Sequence, residues 1–289
     1  MKLSVIVPCF NAEDTIAVQL EALANQQWLE PWEVIVADNG STDNTIAIAQ
    51  RYQHRIANFR IVDASAKAGP SYARNLGAKA AYSESLAFCD ADDQVAPGWV
   101  AAMGMALVQY EFVAGRNNNI KLNDQVTLKN HGLPETTGVT FDHPYLPVVI
   151  SSNMGVKRSL HEKIGGFDEG FLMIEDIDYA WRLQEAGHHV CEIPDAIVHY
   201  RLRKDFKAIC DHAWKVGIYE ALLYKKRHNY PLPKQLMSWK TFIKVPIVFI
   251  LELLRFKVRN KETMAEWIKV LAWRSGQLTG CLKFGFIPL

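Results

Sequence analysis

The residues best suited to chemistry in this chain are three aspartates at the end of a short apolar segment. Asp90, Asp92 and Asp93 close Ser85–Cys89, a segment with the length and composition of a buried β-strand. In α/β sheets, ligands bind beyond the carboxyl ends of the strands. Two carboxylates one residue apart can share a hard divalent cation whose other ligands are substrate phosphate oxygens. An Asp-x-Asp pair alone is common, so a polar loop after a buried strand is the simpler alternative.

The elements that must position these aspartates alternate between strand and helix patterns. The predicted strands are Leu3–Val7, Glu33–Ala37, Phe59–Val62 and Ser85–Cys89, and the predicted helices are Ala12–Gln26, Asp43–Tyr52 and Gly69 to about Tyr82. Asn11 is the expected N-cap of the first helix. This βαβαβαβ order predicts an α/β fold with a mostly parallel sheet flanked by helices. No Gly-x-Gly-x-x-Gly follows the first strand and there is no P-loop, which disfavours an ordinary dinucleotide-binding or P-loop domain.

The chain between Gly115 and Pro147 changes character, because it is rich in Asn, Gly, Thr and Pro. We expect short strands and long loops there, either contacting a variable substrate or forming a plain surface excursion. A longer helix is predicted at about Ile174–Ala186. A strand at His188–Ile193 should then be followed by a Pro-Asp turn.

The composition limits the class of protein. With 289 residues, 49% of them hydrophobic and 22% charged, the chain fits one large globular domain or one domain plus an appendage. The five cysteines are scattered and lack CxxC spacing, which favours buried thiols in a reducing compartment over disulfides or a zinc site. The apolar run after Met1 is too short for a signal peptide, so we expect a cytoplasmic protein.

Charge divides the chain into two regions. Residues 1–200 hold 14 basic and 25 acidic residues, whereas residues 201–289 hold 18 basic and 6 acidic ones. The apolar run Phe242–Phe256 is too short and too interrupted to span a membrane. Its basic and aromatic surroundings favour peripheral contact with the cytoplasmic membrane face through residues 239–274. A helical appendage that packs on the catalytic domain or on a sister subunit is the alternative, and no nucleic-acid-binding motif is present.

Four motifs in order resemble the family-2 glycosyltransferases, which are inverting enzymes of the GT-A fold. They are Val5-Ile6-Val7-Pro8-Cys9-Phe10-Asn11, Val36-Ala37-Asp38-Asn39-Gly40-Ser41-Thr42-Asp43, Ala91-Asp92-Asp93, and Gly165-Gly166-Phe167-Asp168 followed by Glu175-Asp176. The resemblance covers roughly residues 1–200. It implies a GT-A catalytic domain over 1–203, with a nucleotide-binding half at 1–93 and an acceptor-binding half at 94–203. Residues 204–289 are then a basic, aromatic helical region outside these motifs.

The resemblance also implies a set of donor-binding residues. They are Pro8, Phe10, Asn11, Asp38, Gly69, Arg74, Asp90, Arg201 and Arg203. Asp38 resembles the aspartate that accepts a hydrogen bond from the nucleotide base, although a turn or cap role is the alternative. Pro8, Phe10 and Asn11 would line the base and ribose, although the end of a strand followed by a turn explains Pro8 and Asn11 equally well. Arg74 would clamp phosphate or be a solvated helix residue.

A divalent metal, Mn or Mg, is the cofactor that the resemblance implies. Asp92 is the expected direct ligand of the metal, and Asp90 is expected nearer the ribose or the metal. Asp93 is expected to support these ligands from the second coordination sphere. His199 would complete the metal or diphosphate site, although a lone histidine is more often structural.

The catalytic base implied by the resemblance is an acid at the start of the long helix. Asp176 matches that position and Glu175 is the second candidate. Acids in a first helical turn also stabilise the helix dipole, which would explain Glu175, Asp176 and Asp178 without catalysis.

The function implied is transfer of a sugar from a nucleotide-sugar donor to a hydroxyl of a saccharide or lipid-linked acceptor, in surface polysaccharide or glycolipid assembly. Two other classes stay open. A nucleotidyltransferase also uses paired acids but typically has a Gly- and Lys/Arg-rich loop after the first strand, and Pro8-Cys9-Phe10-Asn11 is not such a loop. A non-catalytic saccharide- or nucleotide-binding protein with the same fold is the other.

Overall fold

The computed structural model describes residues 1–233, 237–255 and 261–287. The chain divides into two compact units, Met1–Leu202 and Arg203–Leu289. The sequence-based boundary, between residues 203 and 204, lies one residue further along the chain.

The first unit is built on one mixed sheet. Its described strands are β1 Leu3–Cys9, β2 Trp32–Asp38, β3 Phe59–Asp63, β4 Ser85–Phe88, β5 Gln94–Val95, β6 Phe112–Asn118, β7 Thr136–Thr137, β8 Met154–Lys157 and β9 Cys191–His199. Their order is β3-β2-β1-β4-β8-β6-β9-β5, with β7 paired to β6. The four N-terminal strands β1 to β4 are parallel to one another, as predicted. Strand β8 runs antiparallel to both β4 and β6 and joins the parallel part to the rest of the sheet.

Helices cover both faces of this sheet. They are α1 Ile16–Ala24, α2 Thr45–Gln50, α3 Pro70–Ala80, α4 Trp99–Gln109, α5 Gln125–His131, α6 Arg158–Lys163 and α7 Glu175–Glu185. Alternation along β1 explains the two cores: Val5 and Val7 join the apolar cluster on one face, and Ile6 joins the cluster on the other. Strand β1 is buried along its whole length, as expected of a strand covered on both sides.

Three local predictions are wrong, each for a physical reason. Asn11 does not cap α1, which begins at Ile16. Asn11 adopts a positive φ of 47°, and its Oδ1 accepts a hydrogen bond from Thr42 N at 2.8 Å. The predicted loop after Gly115 contains α5, because Asp124 accepts a hydrogen bond from Thr127 N and caps that helix. The expected Pro-Asp turn is part of β9, whose register with β6 shifts between Gly115 and Arg116, so the chain continues as a bulged strand.

The second unit contains α8 Phe206–Lys226, α9 Trp239–Leu254 and α10 Lys261–Phe284. Helices α8 and α10 approach closely, since a Cβ at Gly276 would lie 2.0 Å from the carbonyl oxygen of Trp214. Glu220 of α8 is enclosed there, and its Oε2 accepts hydrogen bonds of 2.7 Å from Trp273 Nε1 and Gln277 Nε2. Among the residues described, no helix is both long enough and apolar enough to cross a membrane.

Candidate active site

The three aspartates after β4 form an acidic cluster. Carboxylate oxygens of Asp90, Asp92 and Asp93 all lie within 4.8 Å of one another. Asp92 is exposed, Asp90 is half-buried, and Asp93 is only 1% exposed. The cluster begins at Asp90, two residues beyond Phe88, which ends β4. It lies at the carboxyl end of a strand that is parallel to β1. The aspartates therefore lie where the sequence predicts them, beyond the carboxyl end of a parallel strand.

The surroundings of Asp93 disfavour the charged form of its carboxyl group. Its Oδ1 accepts a hydrogen bond of 2.8 Å from Arg201 N. Its Oδ2 is buried and has no partner of normal geometry among the described residues, although the Ser152 hydroxyl faces the same carboxyl. Burial, followed by the charges of Asp92 and Asp90, raises the pKa of Asp93 well above its usual value. An orphaned carboxylate oxygen beside two further carboxylates is suited to a bound cation.

Arg74 of α3 connects this cluster to a second acidic site. Its Nη2 donates to Asp90 Oδ1 and its Nη1 donates to Glu175 Oε1, both at 2.7 Å. The side chain is 3% exposed, so the interpretation of Arg74 as a solvated helix residue is wrong. Burial alone would lower its pKa, but the charges of Asp90 and Glu175 raise the pKa of Arg74 above its usual value. Both terminal nitrogens are engaged by carboxylates, and contact of Arg74 with a donor phosphate stays a prediction.

Asp176 lies beside Glu175 in the first turn of α7. Its Oδ1 accepts a hydrogen bond from Ile177 N at 2.9 Å, and its Oδ2 accepts a longer one from Ser151 N at 3.3 Å. Burial, then the charge of Glu175, raises the pKa of Asp176 to about 7, against a lowering effect of Arg74. The residue before α7, Ile174, has a φ of 54°, which is strained for a β-branched side chain. Strain of this kind is found where a neighbouring group must be held in place.

The predicted base-binding residues gather at the carboxyl ends of β1 and β2. Asp38 pairs with Cys9 across these strands, and its Oδ1 accepts a 2.6 Å hydrogen bond from Ser41 Oγ. Phe10, which follows β1, is 60% exposed and offers a free aromatic face. Pro8 is buried within β1, whereas Asn11 joins the loop after β1 to the loop after β2 through Thr42.

Gly69 is held beside the same loops. Its backbone N donates to Asn39 Oδ1 at 2.7 Å, and its φ of 131° belongs to a region that favours glycine. A Cβ there would lie 3.0 Å from Leu172 Cδ2. Replacement by a larger residue would therefore disturb both the turn and the start of α3.

His199, which ends β9, and the two arginines that follow it lie in different environments. Arg201 reaches the acidic cluster, where its backbone N contacts Asp93 and its Nε donates to Asp92 O at 2.8 Å. Within the described residues His199 is not part of the group that could hold a metal, and its Nδ1 lies 3.4 Å from Asn118 Oδ1. Arg203 begins the second unit. The roles of His199 and Arg203 stay predictions.

Sequence reasoning missed one residue that holds the acidic loop. Gln19 of α1 is fully buried; its Nε2 donates to Asp90 O and its Oε1 accepts from Val95 N, both at 2.9 Å. The available signal was its position on the same face as the buried Ile16, Leu20 and Leu23. A polar side chain on an apolar helix face requires an internal partner.

Comparison with known proteins decides the family. The model of glycosyl transferase family 2 matches residues 4–165, which is more than half of the chain. The chain belongs to this family. Its fold is of the GT-A type, as expected, with an additional helical C-terminal unit.

Similar proteins match only part of the chain. The uncharacterized glycosyltransferase YibD of Escherichia coli (strain K12) is 42% identical over 107 residues, covering 37% of this chain and 30% of YibD. Poly(ribitol-phosphate) beta-N-acetylglucosaminyltransferase TarS of Staphylococcus aureus (strain Mu50) is 37% identical over 97 residues, covering 33% of this chain and 17% of TarS. In both of these relatives the match spans less than a third of the relative's own length.

Solved structures extend the likeness in fold. The mannosyltransferase PcManGT from Pyrobaculum calidifontis, solved with GDP-Man and Mn²⁺, superposes with a TM-score of 0.65 at 16% identity, covering 98% of this chain and 87% of PcManGT. TarS residues 1–349, solved with UDP, gives 0.57 at 17% identity, covering 99% of this chain and 92% of that one.

Proposed function

We propose that this chain transfers a sugar from a nucleotide-sugar donor to a hydroxyl of a saccharide or lipid-linked acceptor, with inversion at the sugar carbon. The observation that carries the proposal is the Arg74 bridge. It holds the acidic cluster, a candidate site for metal and diphosphate, next to Glu175 and Asp176, the candidate base pair. Family membership supports glycosyl transfer, and the relative TarS, a poly(ribitol-phosphate) beta-N-acetylglucosaminyltransferase, supports a polymeric acceptor. A role in surface polysaccharide or glycolipid assembly is part of the proposal.

A divalent metal, Mn or Mg, fits the residues of the acidic cluster. All the candidate ligand atoms there are carboxylate oxygens, which suit hard cations, and the buried Asp93 Oδ2 has no hydrogen-bond partner of normal geometry among the described residues. Asp92 and Asp90 would hold the ion, with Asp93 supporting them. When bound, the metal supplies Lewis-acid neutralisation of the departing diphosphate. A likeness in fold to PcManGT, which was solved with Mn²⁺, is consistent with this assignment.

Asp176 is the proposed general base. It removes the proton from the acceptor hydroxyl, while the oxygen forms the new bond to the sugar carbon and the bond to the diphosphate oxygen breaks on the opposite face. A carboxylate with a pKa near 7 accepts that proton better than an ordinary one. Glu175 is the weaker candidate because its Oε1 accepts a 2.7 Å hydrogen bond from Arg74 Nη1.

The donor nucleotide is proposed to lie across the ends of β1 and β2. Asp38 would accept a hydrogen bond from a base N–H, Phe10 would contact the base, and Pro8 and Asn11 would line the ribose. The diphosphate would extend past Gly69 toward the acidic cluster. Phosphate contacts are proposed for Arg74, Arg201 and Arg203.

The proposed acceptor can be lipid-linked, in which case the protein must work at a membrane face. Contact through residues 239–274 is part of this proposal, and the charge distribution supports it, with 18 basic against 6 acidic residues in 201–289.

Calorimetric titration of the full chain with UDP, GDP, dTDP and CMP, each with and without Mn²⁺, tests the proposal. We expect one nucleoside diphosphate to bind in a metal-dependent way and to raise thermal stability. Asp92→Asn should abolish the metal dependence, whereas Asp195→Asn, the same change at an exposed position of β9, should leave it unchanged. A well-folded protein that binds none of the four nucleotides would contradict the proposal.

A further inference from the structure

One side of α9 presents a continuous row of large apolar side chains to solvent. Trp239, Ile243, Ile247, Ile250 and Leu254 are each between 50% and 69% exposed. Their spacing of three or four residues places them on one side of the helix. We call this row the α9 stripe. Single exposed apolar residues are ordinary, but a contiguous row marks a surface that contacts another apolar phase.

The other side of α9 is already occupied. The Phe249 ring lies 5.2 Å from the Trp267 ring of α10, and Glu252 accepts a 3.0 Å hydrogen bond from Trp267 Nε1. Phe242, on the same side, is buried. These contacts fix the rotation of α9 about its axis, so the stripe faces away from α10.

Positive charge borders the stripe along one flank. Lys240, Lys244 and Arg255 are exposed and lie roughly a quarter-turn from the centre of the stripe, at about 100° per residue. Glu252 is the single acidic residue in the α9 sequence, and it is directed to Trp267. An apolar face flanked by long cationic side chains matches the boundary between acyl chains and anionic headgroups.

We propose that α9 docks on an anionic lipid bilayer, with the stripe in the acyl boundary and Lys240, Lys244 and Arg255 at headgroup phosphates. A second copy of the chain fits less well, because pairing through the stripe would bring two basic surfaces together. The docking itself is independent of catalysis. Its benefit, which is to bring the enzyme to a lipid-linked acceptor, rests on the proposed function.

Sedimentation of the full chain with two kinds of vesicle tests this inference. One kind is phosphatidylcholine alone and the other is phosphatidylcholine mixed with phosphatidylglycerol. We expect at least about tenfold tighter binding to the anionic vesicles, weakened by salt. The double variant Ile243→Asp with Ile250→Asp, and separately Lys240→Glu with Lys244→Glu, should each lower that affinity by roughly tenfold or more.

Matched changes in the first unit serve as controls. Leu29 and Lys79 are exposed there, so Leu29→Asp and Lys79→Glu should leave vesicle binding unchanged. Absence of vesicle binding by the wild type, or equal losses in the controls and the α9 variants, would overturn the inference. So would a lipid-free dimer in sedimentation velocity that Ile250→Asp dissociates, because it would assign the stripe to a second copy.

Nucleotide titration of the same samples separates the two proposals. An α9 variant that has lost vesicle binding should keep metal-dependent nucleotide binding, which also shows that it is folded. A wild type that binds anionic vesicles but no nucleotide would contradict the proposed function and leave the docking intact. Nucleotide binding without vesicle binding would contradict the docking of α9, and with it the membrane contact through residues 239–274, and would leave the proposed sugar transfer intact.

Discussion

Two carboxyl groups in this molecule have their pKa raised to about 7 by burial, yet their surroundings differ. Glu220, between α8 and α10, is held by side-chain donors of Trp273 and Gln277 at 2.7 Å. Asp176, in the first turn of α7, has a contact of 3.3 Å from Ser151 N and one of 2.9 Å from Ile177 N, and it sits beside Glu175. A raised pKa alone therefore does not identify a catalytic base. Asp176 differs from Glu220 because it lies beside Glu175, which Arg74 links to Asp90 of the acidic cluster.

Loss of the Asp176 carboxylate should lower turnover more than any other change described below. Asp176→Asn keeps the size of the side chain but cannot accept the proton, so we expect kcat to fall roughly 10²–10⁴-fold. Nucleotide binding measured by calorimetry should be little changed. Glu220→Gln, the matched change at the other buried carboxyl, should leave kcat within about twofold because Glu220 lies among the helices of the second unit. Equal losses in both variants would remove the distinction between the two sites.

The second expected effect is on folding stability through Arg74. Arg74→Met leaves Asp90 and Glu175 without their shared cation in a buried setting, so we expect a loss of about 3–5 kcal/mol in the free energy of unfolding. Urea denaturation followed by circular dichroism measures it. Arg51→Met, at an exposed position just after α2, is the control and should change the free energy of unfolding by no more than about 0.5 kcal/mol. A similar small change for Arg74→Met would show that the bridge contributes little.

A smaller effect concerns the pH dependence of stability. The pKa of Glu220 is about 7 in the folded protein and ordinarily 4.5, so the folded state binds the proton more tightly. The stability that this tighter proton binding gives the folded state is fully present below about pH 4.5 and is lost as the pH rises through 7. Glu220→Gln should therefore raise the free energy of unfolding at pH 8 by about 1–3 kcal/mol relative to wild type and have little effect at pH 5. Thermal melts at both pH values check the sign, and destabilisation at pH 8 would contradict it.

Much of the first unit could be predicted from the sequence because the signals are local. The apolar runs of β1, β2 and β4 indicate buried parallel strands, and the aspartates after Phe88 must then fall at their carboxyl ends. The same logic places Asp38 at the end of β2.

What could not be predicted depends on partners distant in sequence. Arg74 joins Asp90, 16 positions away, to Glu175, 101 positions away, and helical periodicity shows neither contact. Strand β9 runs through Pro194 because its register with β6 shifts there, which a turn propensity cannot anticipate. The partner of Gln19 is also distant in sequence, because its side chain donates to the carbonyl oxygen of Asp90 in the acidic loop.

Inverting transfer with Asp176 as general base is tested by the stereochemistry of the sugar released from an α-linked nucleotide sugar, followed by proton NMR at early times with Mn²⁺ present. The donor is chosen from the nucleotide that binds in calorimetry, and water acts as the acceptor. We expect the β-anomer to appear first and Asp176→Asn to suppress its release. First appearance of the α-anomer, or undiminished release by Asp176→Asn, would contradict a single inverting displacement with Asp176 as base.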